Sequence, residues 1–197
     1  MKAVLISIQP KWCELIASGK KTVEVRKTKP KLVTPFKCFI YETKVYDTVF
    51  GKGKPKKLCV GGGKVIGEFV CDKIYDITPH FDTPTFPNQY ICEWDYGKDF
   101  DCLSFEELTS YLNGRQGYGW HISDLVIYDE PRGLSEFCTP EWFRDCEKQC
   151  DSMERLRCPT KDSRKVDKMC DWCRRGGKPI TRPPQSWCYV ERSENGT

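Results

Sequence analysis

The stretch Gly19-Lys20-Lys21-Thr22-Val23-Glu24-Val25-Arg26 constrains this chain more than any other. It follows a short amphipathic segment, Pro10 to Ser18, and reads as the end of a helix running straight into a strand. Gly19 suits the left-handed position just past a helix C-terminus. Residues Thr22 to Arg26 then alternate polar and apolar with period two, with β-branched residues at Thr22, Val23 and Val25. Val23 and Val25 are expected to enter a core, and Thr22, Glu24 and Arg26 to share the opposite face. Lys21 stands where helix becomes strand, so its side chain can swing toward that polar face. A cation, a carboxylate and a guanidinium gathered at one strand start point to a site. The same three groups can also satisfy one another as a buried ion-pair network that ties the first helix to the sheet.

With 197 residues, the chain can build one ordinary domain with an appendage, or two small ones. Hydrophobic residues at 39% and aromatics at 13% supply a packed core and exclude a disordered chain. No apolar run approaches the roughly 18 residues that span a bilayer, and Ala3 to Ile8 is too short for a signal-peptide core. The expectation is a cytoplasmic protein. Its net charge of +4 hides an asymmetry. Residues 1–67 carry 15 Lys/Arg against 4 Asp/Glu, a balance of +11, and residues 68–145 carry 5 against 16, a balance of −11. The basic block includes Lys52, Lys54, Lys56 and Lys57 around Gly51, Gly53 and Pro55. Such blocks are either solvated faces or phosphate-facing surfaces that gain affinity by counterion release. Nothing is basic enough to indicate sequence-specific duplex DNA binding.

Local patterns predict a β-rich domain with few helices. Met1 to Ile8 and Phe36 to Tyr41 read as strands, and Pro35 marks the start of the second. Tyr46 to Gly63 lacks periodicity and reads as a long Gly/Lys loop. Lys64 to Lys73 is the clearest strand, with Val65, Gly67 and Phe69 on one face. Pro79 to Pro87 is irregular. Ser104-Phe105-Glu106-Glu107 has the form of a capping box, predicting a helix to about Asn113 that stops at Gly114. Tyr118 to Tyr128 reads as one strand, with Pro131 closing the first domain. These elements place one domain at 1–132 and a cysteine-rich extension at 133–197. In the extension Thr139-Pro140-Glu141 is a helix start, and Arg182 to Val190 is an extended apolar patch expected to dock on the first domain.

The 13 cysteines carry a second signal. In a reducing compartment cysteine-rich stretches more often bind metal than form disulfides. Cys146 and Cys150, then 19 residues, then Cys170 and Cys173 fall within the spacing of a four-thiolate structural zinc site. Cys158 and Cys188 are alternative ligands. A polar tail with little core of its own is the kind of segment a metal ion holds folded. Cys13, Cys38, Cys59, Cys71, Cys92 and Cys102 are scattered, and their spacing favours packing.

The pattern G-x-K-x-x-E-x-R after a short helix resembles the signature of the ASCH domain, a PUA-like family. Met1 to Ile8, Lys11 to Ile16, Gly63 to Val70 and Trp120 to Leu125 resemble further family elements over roughly residues 1–130. The cysteine-containing tail is similar to that of some phage-encoded and bacterial members. The resemblance implies an α+β fold: a small mixed PUA-like β-barrel with flanking short helices, plus the extension. It also implies a cleft lined by the octapeptide that accepts RNA or a modified nucleotide or nucleoside. Lys20, Thr22 and Arg26 would contact the ligand, while Tyr41, Trp120 and His121 are candidates for base stacking and the cleft wall. Some small members are amidohydrolases that remove the acetyl group from N4-acetylcytidine with a Lys, a Thr and a Glu. Lys21 matches their Lys, but Glu24 occupies the Thr position, so no hydroxyl nucleophile stands there. An amidohydrolase of this sequence would instead use Glu24 as general base on water, with Lys21 and Arg26 at the oxyanion and Glu68 as acid partner.

Overall fold

The computed structural model describes residues 3–49, 54, 56–80, 89–92, 102–139 and 178–192. The first half runs β1 (Ala3–Ile8), α1 (Pro10–Ala17), β2 (Val23–Arg26), β3 (Phe36–Glu42), β4 (Val45–Val49), β5 (Lys56–Val60) and β6 (Val65–Cys71). There follow β7 (Ile74–His80), β8 (Gln89–Cys92), α2 (Phe105–Leu112), β9 (Gly117–His121) and β10 (Ser123–Arg132). The C-terminal strands are β11 (Phe137–Thr139), β12 (Lys178–Pro179) and β13 (Trp187–Arg192). Sheets dominate, the described helices are short, and the expected α+β class holds. No helix among the described residues is long and apolar enough to cross a membrane.

A seven-stranded mixed sheet runs in the order β10-β6-β3-β1-β13-β11-β12, and a four-stranded sheet in the order β2-β9-β7-β8. β1 is buried at every position, as a central strand covered on both faces requires. Its Val4, Ile6 and Ile8 join Cys38, Ile40, Phe69 and Cys71 in the main core, which also takes Cys13 and Ile16 from α1 and Trp120 from β9. Its Ala3 and Leu5 face a second cluster with Phe39, Tyr41, Phe137 and Val190. Burying groups of this size contributes about 1.5–3 kcal/mol per large side chain, so β1 is an organising element of the fold. The third cluster seats Leu108 and Leu112 of α2 on Val25 and Ile77.

Several local expectations hold in detail. β6 alternates buried and half-buried positions along its length. α2 carries the full capping box, with Glu107 N–H donating to the Ser104 hydroxyl at 3.1 Å and Ser104 N–H donating to the Glu107 carboxylate at 3.0 Å. It ends at Asn113, which is left-handed. The apolar patch before Val190 becomes β13, paired antiparallel to β1.

Other expectations are corrected. The expected loop at Tyr46 to Gly63 contains a ribbon, β4 paired with β5. Its described side chains are mostly exposed, so no hydrophobic alternation betrays it. The single strand expected from Tyr118 to Tyr128 is two strands in different sheets; Ile122 lies between them and Asp124 turns left-handed at φ 46°. Pro131 is the next-to-last residue of β10, an edge strand where a missing donor is tolerated. The expected irregular stretch begins inside β7, where Pro79 pairs with Tyr90. One sheet also crosses the 132/133 boundary, since β11 and β13 belong to the sheet of β1. The helix expected after Thr139, together with Cys146, Cys150, Cys158, Cys170 and Cys173, lies outside the described residues.

Candidate functional site

The site begins with the way α1 ends. Gly19 is left-handed at φ 71°, Gly19 N–H donates to the Ile16 carbonyl at 2.9 Å, and Lys20 N–H to the Leu15 carbonyl at 3.0 Å. This is a Schellman motif. Lys21 N–H also reaches the Leu15 carbonyl, at 3.0 Å, so the backbone of Lys21 is tied to the helix end before the strand starts. β2 then pairs antiparallel with β9, with Glu24 opposite Trp120 and Arg26 opposite Tyr118. Directly opposed residues leave a sheet on the same face. Glu24 therefore points to the side on which Trp120 fills the main core, while Val25 packs against α2 on the other side. The polar face of β2 is turned inward.

Burial selects the same residues. The buried polar or charged residues among those described are Ser7, Lys21, Glu24 and Arg26. All four line one cleft of about 450 Å³. Arg26 Nη2 lies 2.9 Å from Glu24 Oε1 and donates to the Ser7 carbonyl at 2.6 Å, while Lys21 Nζ lies 3.6 Å from Glu24 Oε2. The Ser7 hydroxyl donates to the Pro184 carbonyl at 2.6 Å, and Ser7 N–H to the Ser186 carbonyl at 2.8 Å. These bonds draw Gln185 and Ser186 into the cleft wall. Thr43 and Lys44 form another side, and Trp12 and Tyr111 give it aromatic surface. Lys21 Nζ stands 5.1 Å from the Trp12 ring centroid. Burial raises the Tyr111 hydroxyl pKa, with Arg26 pulling it down and Glu24 pushing it up.

Two cations face one carboxylate, and Lys44 adds a third cation at the wall, so the cleft is electropositive. Arg26 Nε and Thr43 Oγ1 are buried with no hydrogen-bond partner among the described residues. A ligand bearing a phosphate or a carbonyl oxygen meets what these groups lack.

The structure brings together Lys21, Glu24 and Arg26 and separates the rest of the expected set. Lys20 is exposed and Thr22 half-buried, and neither lines the cleft. Glu68, on the seven-stranded sheet, pairs with Lys37 at 2.6 Å and accepts from the Tyr128 hydroxyl at 2.5 Å, and it does not line the cleft. Tyr41 is buried in the second core cluster. Trp120 is sealed in the core beside Phe36 and Trp187, each at 5.9 Å between ring centroids, so no base can stack on it. Strand alternation puts His121 on the other face from Trp120, where its Nδ1 meets Asp72 at 2.6 Å. The sequence reading missed Ser7, Gln9, Thr43, Lys44, Tyr111, Gln185 and Ser186. A hydroxyl in an otherwise apolar strand was the available signal for Ser7, and the others carried none. Of the scattered cysteines, Cys13, Cys38 and Cys71 are buried as expected of packing residues, with burial pushing the Cys71 thiol up to about 12, whereas Cys59 on the exposed ribbon is not buried and Cys102 is only half-buried.

The ASCH domain family model matches residues 6–108 of this chain. No curated protein matches. Among solved structures, ASCH from Zymomonas mobilis is similar with a TM-score of 0.51 at 18% identity, over 96% of this chain and 87% of that one. A tyrosine-to-phenylalanine variant of the same protein gives 0.52 at 19%, over 98% and 94%. At such identity these likenesses establish the fold alone. The matched segment exceeds half the chain and contains α1, β2 and all three buried charged residues, and on that basis this chain belongs to the ASCH domain family.

Proposed function

We propose that the cleft binds RNA or a modified nucleotide. The observation that carries this reading is the convergence of every buried polar residue among those described on one electropositive cleft. Its volume of about 450 Å³ is that of a small-ligand pocket. Lys21 and Arg26 supply charged donors for phosphate or carbonyl oxygens, and Trp12 and Tyr111 supply surface for a base. Binding of a labelled oligoribonucleotide, followed by fluorescence anisotropy, should weaken in Lys21→Ala and fall steeply with salt. A flat salt response would sink this reading.

A second reading has its own support in the approach of Lys21 to Glu24 at the cleft wall. In an amidohydrolase acting on N4-acetylcytidine-like nucleosides, Glu24 takes a proton from water, whose oxygen attacks the acyl carbon. Lys21 and Arg26 stabilise the oxyanion. Glu24 returns the proton to the departing amine as the C–N bond breaks, leaving acetate and the deacetylated nucleoside; Glu68 does not line the cleft. Incubation with N4-acetylcytidine should then release cytidine, and Glu24→Gln should abolish release while retaining affinity. Absence of release by the wild-type protein rejects the hydrolase.

The spacing of Cys146, Cys150, Cys170 and Cys173 supports a structural zinc ion in the extension. Elemental analysis should find about one equivalent per chain, and metal-free, fully folded protein would refute it.

A further inference from the structure

We propose that the β4–β5 ribbon is a docking arm for single-stranded RNA that leads the strand into the cleft. This rests on the cleft being a nucleotide site and adds that its ligand is a polymer. The ribbon forms a sheet of its own, paired from Val45↔Val60 to Val49↔Lys56. A lone two-stranded ribbon is marginal in water and has no core to serve. This one instead exposes apolar surface, with Tyr46 61%, Leu58 56% and Val60 37% accessible.

The arm springs from the cleft itself. Thr43, Lys44 and Val45 line the cleft, and Val45 opens β4. The returning strand is locked to the same point. Gly61 has φ +90°, and a Cβ there would stand 2.2 Å from the Thr43 carbonyl oxygen and 2.7 Å from Pro10. Gly62 N–H donates to the Glu42 carboxylate at 2.5 Å. A ligand held in the cleft therefore has the base of the ribbon as its neighbour.

Charge decides the occupant. Residues 43–64 hold six lysines and one acid, Asp47. Lys44, Lys54, Lys57 and Lys64 are exposed, and none of them makes an ion pair among the described residues. Thr48 opposes Lys57 and Tyr46 opposes Cys59, so Tyr46 and Lys57 share a face. A stacking ring beside a phosphate-seeking cation is what an unpaired strand uses and a duplex cannot.

The test compares uridine monophosphate with an oligouridylate of about eight nucleotides, a length within the usual footprint of single-strand sites. The full chain should bind the oligomer at least about tenfold more tightly. Lys54→Gln/Lys57→Gln should remove most of that gain and lower the salt slope by about 1.4. It should leave monophosphate affinity and the melting temperature unchanged. Tyr46→Ala should weaken the oligomer alone, by about tenfold. Monophosphate binding with no gain from length, an indifferent double variant, equal affinity for duplex DNA, or capture of anionic vesicles in place of RNA each removes the arm and leaves the cleft reading standing. Binding of neither probe removes both.

Discussion

Two kinds of ion pair mark the extremes among the described residues, alike in chemistry and unlike in surroundings. Lys11–Glu107 and Lys29–Asp76 lie on the surface, their side chains 42–63% exposed. Lys21, Glu24 and Arg26 are 2–9% exposed. In water a pair of this kind contributes little, because screening and side-chain entropy offset the attraction. Inside, each ion has lost several kcal/mol of hydration, and the network holds only while every member stays paired. A chain that sought stability alone would do as well with apolar residues at these positions. The cluster also faces a cleft, and the difference teaches that burial there does not seal the charges off from the space beside them.

The sharpest way to break this contrast is Glu24→Ala. It strands Lys21 and Arg26 side by side without an anion, and the expected loss of stability is about 3–5 kcal/mol. Urea unfolding measures it, and a loss of surface-pair size would show that water already reaches the cluster. The complementary variant Lys21→Met/Glu24→Leu/Arg26→Met removes all three charges together. It should keep stability near that of the parent and lose oligoribonucleotide binding. Retained binding would detach the cluster from the cleft's function.

The next effect is local. Ser104 caps the helix that brings Tyr111 to the cleft, and both bonds of its capping box are present. Ser104→Ala should cost about 1 kcal/mol. Binding should suffer only as far as the helix frays, and a thermal melt alongside the anisotropy titration separates the two.

What could be read in the sequence follows from how local each feature is. The Schellman turn at Gly19 and the capping box at Ser104 use residues within a few positions of each other, and both are as the pattern requires. The alternation of β2 correctly put Glu24 and Arg26 on one face. Which way that face points depends on pairing with β9, nearly a hundred residues on, and period two contains no such information. Tyr41 and Trp120 were misplaced for the same reason: an aromatic on a strand looks alike whether it lines a cleft or fills a core. Ser7 meets Pro184 across 177 positions, so that wall of the site was illegible. The ribbon escaped because its pattern is set by solvent on both sides, which leaves no apolar stripe.

A smaller effect lies at Asp72, half exposed beside His121. Partial burial raises its pKa, but the hydrogen bonds from His121, from its own backbone and from Ser123, with the attraction of His121, together outweigh that and leave it below the usual carboxylate value. A group whose pKa is lower in the folded state stabilises above the unfolded value near 3.8 and loses that contribution as pH falls through the folded one. Asp72→Asn should therefore cost under about 1 kcal/mol at pH 6, given this exposure, and nothing at pH 2. Urea midpoints at the two pH values check it, and an undiminished cost at pH 2 would mean that the carboxylate charge is not what matters.

The smallest effect is expected at Lys11 and Glu107, which bridge α1 to α2 at 3.2 Å beside the cleft. The pair looks like a clasp, since Trp12 follows Lys11 and Tyr111 lies one turn beyond Glu107, and both rings line the cleft. Exposure argues otherwise. Lys11 Nζ also sits 4.2 Å from the Trp12 ring centroid, a contact it keeps when the carboxylate is removed. Glu107 likewise keeps its bond from Ser104 N–H when the lysine is gone. Each partner thus has a second engagement that does not need the first. A double-mutant cycle of Lys11→Ala and Glu107→Gln should show coupling that is barely measurable at low salt and absent at about 1 M, where the screening length falls to about 3 Å. Coupling that survives high salt would place this bridge with the Glu24 cluster, and burial would no longer be the variable that separates the two kinds of pair.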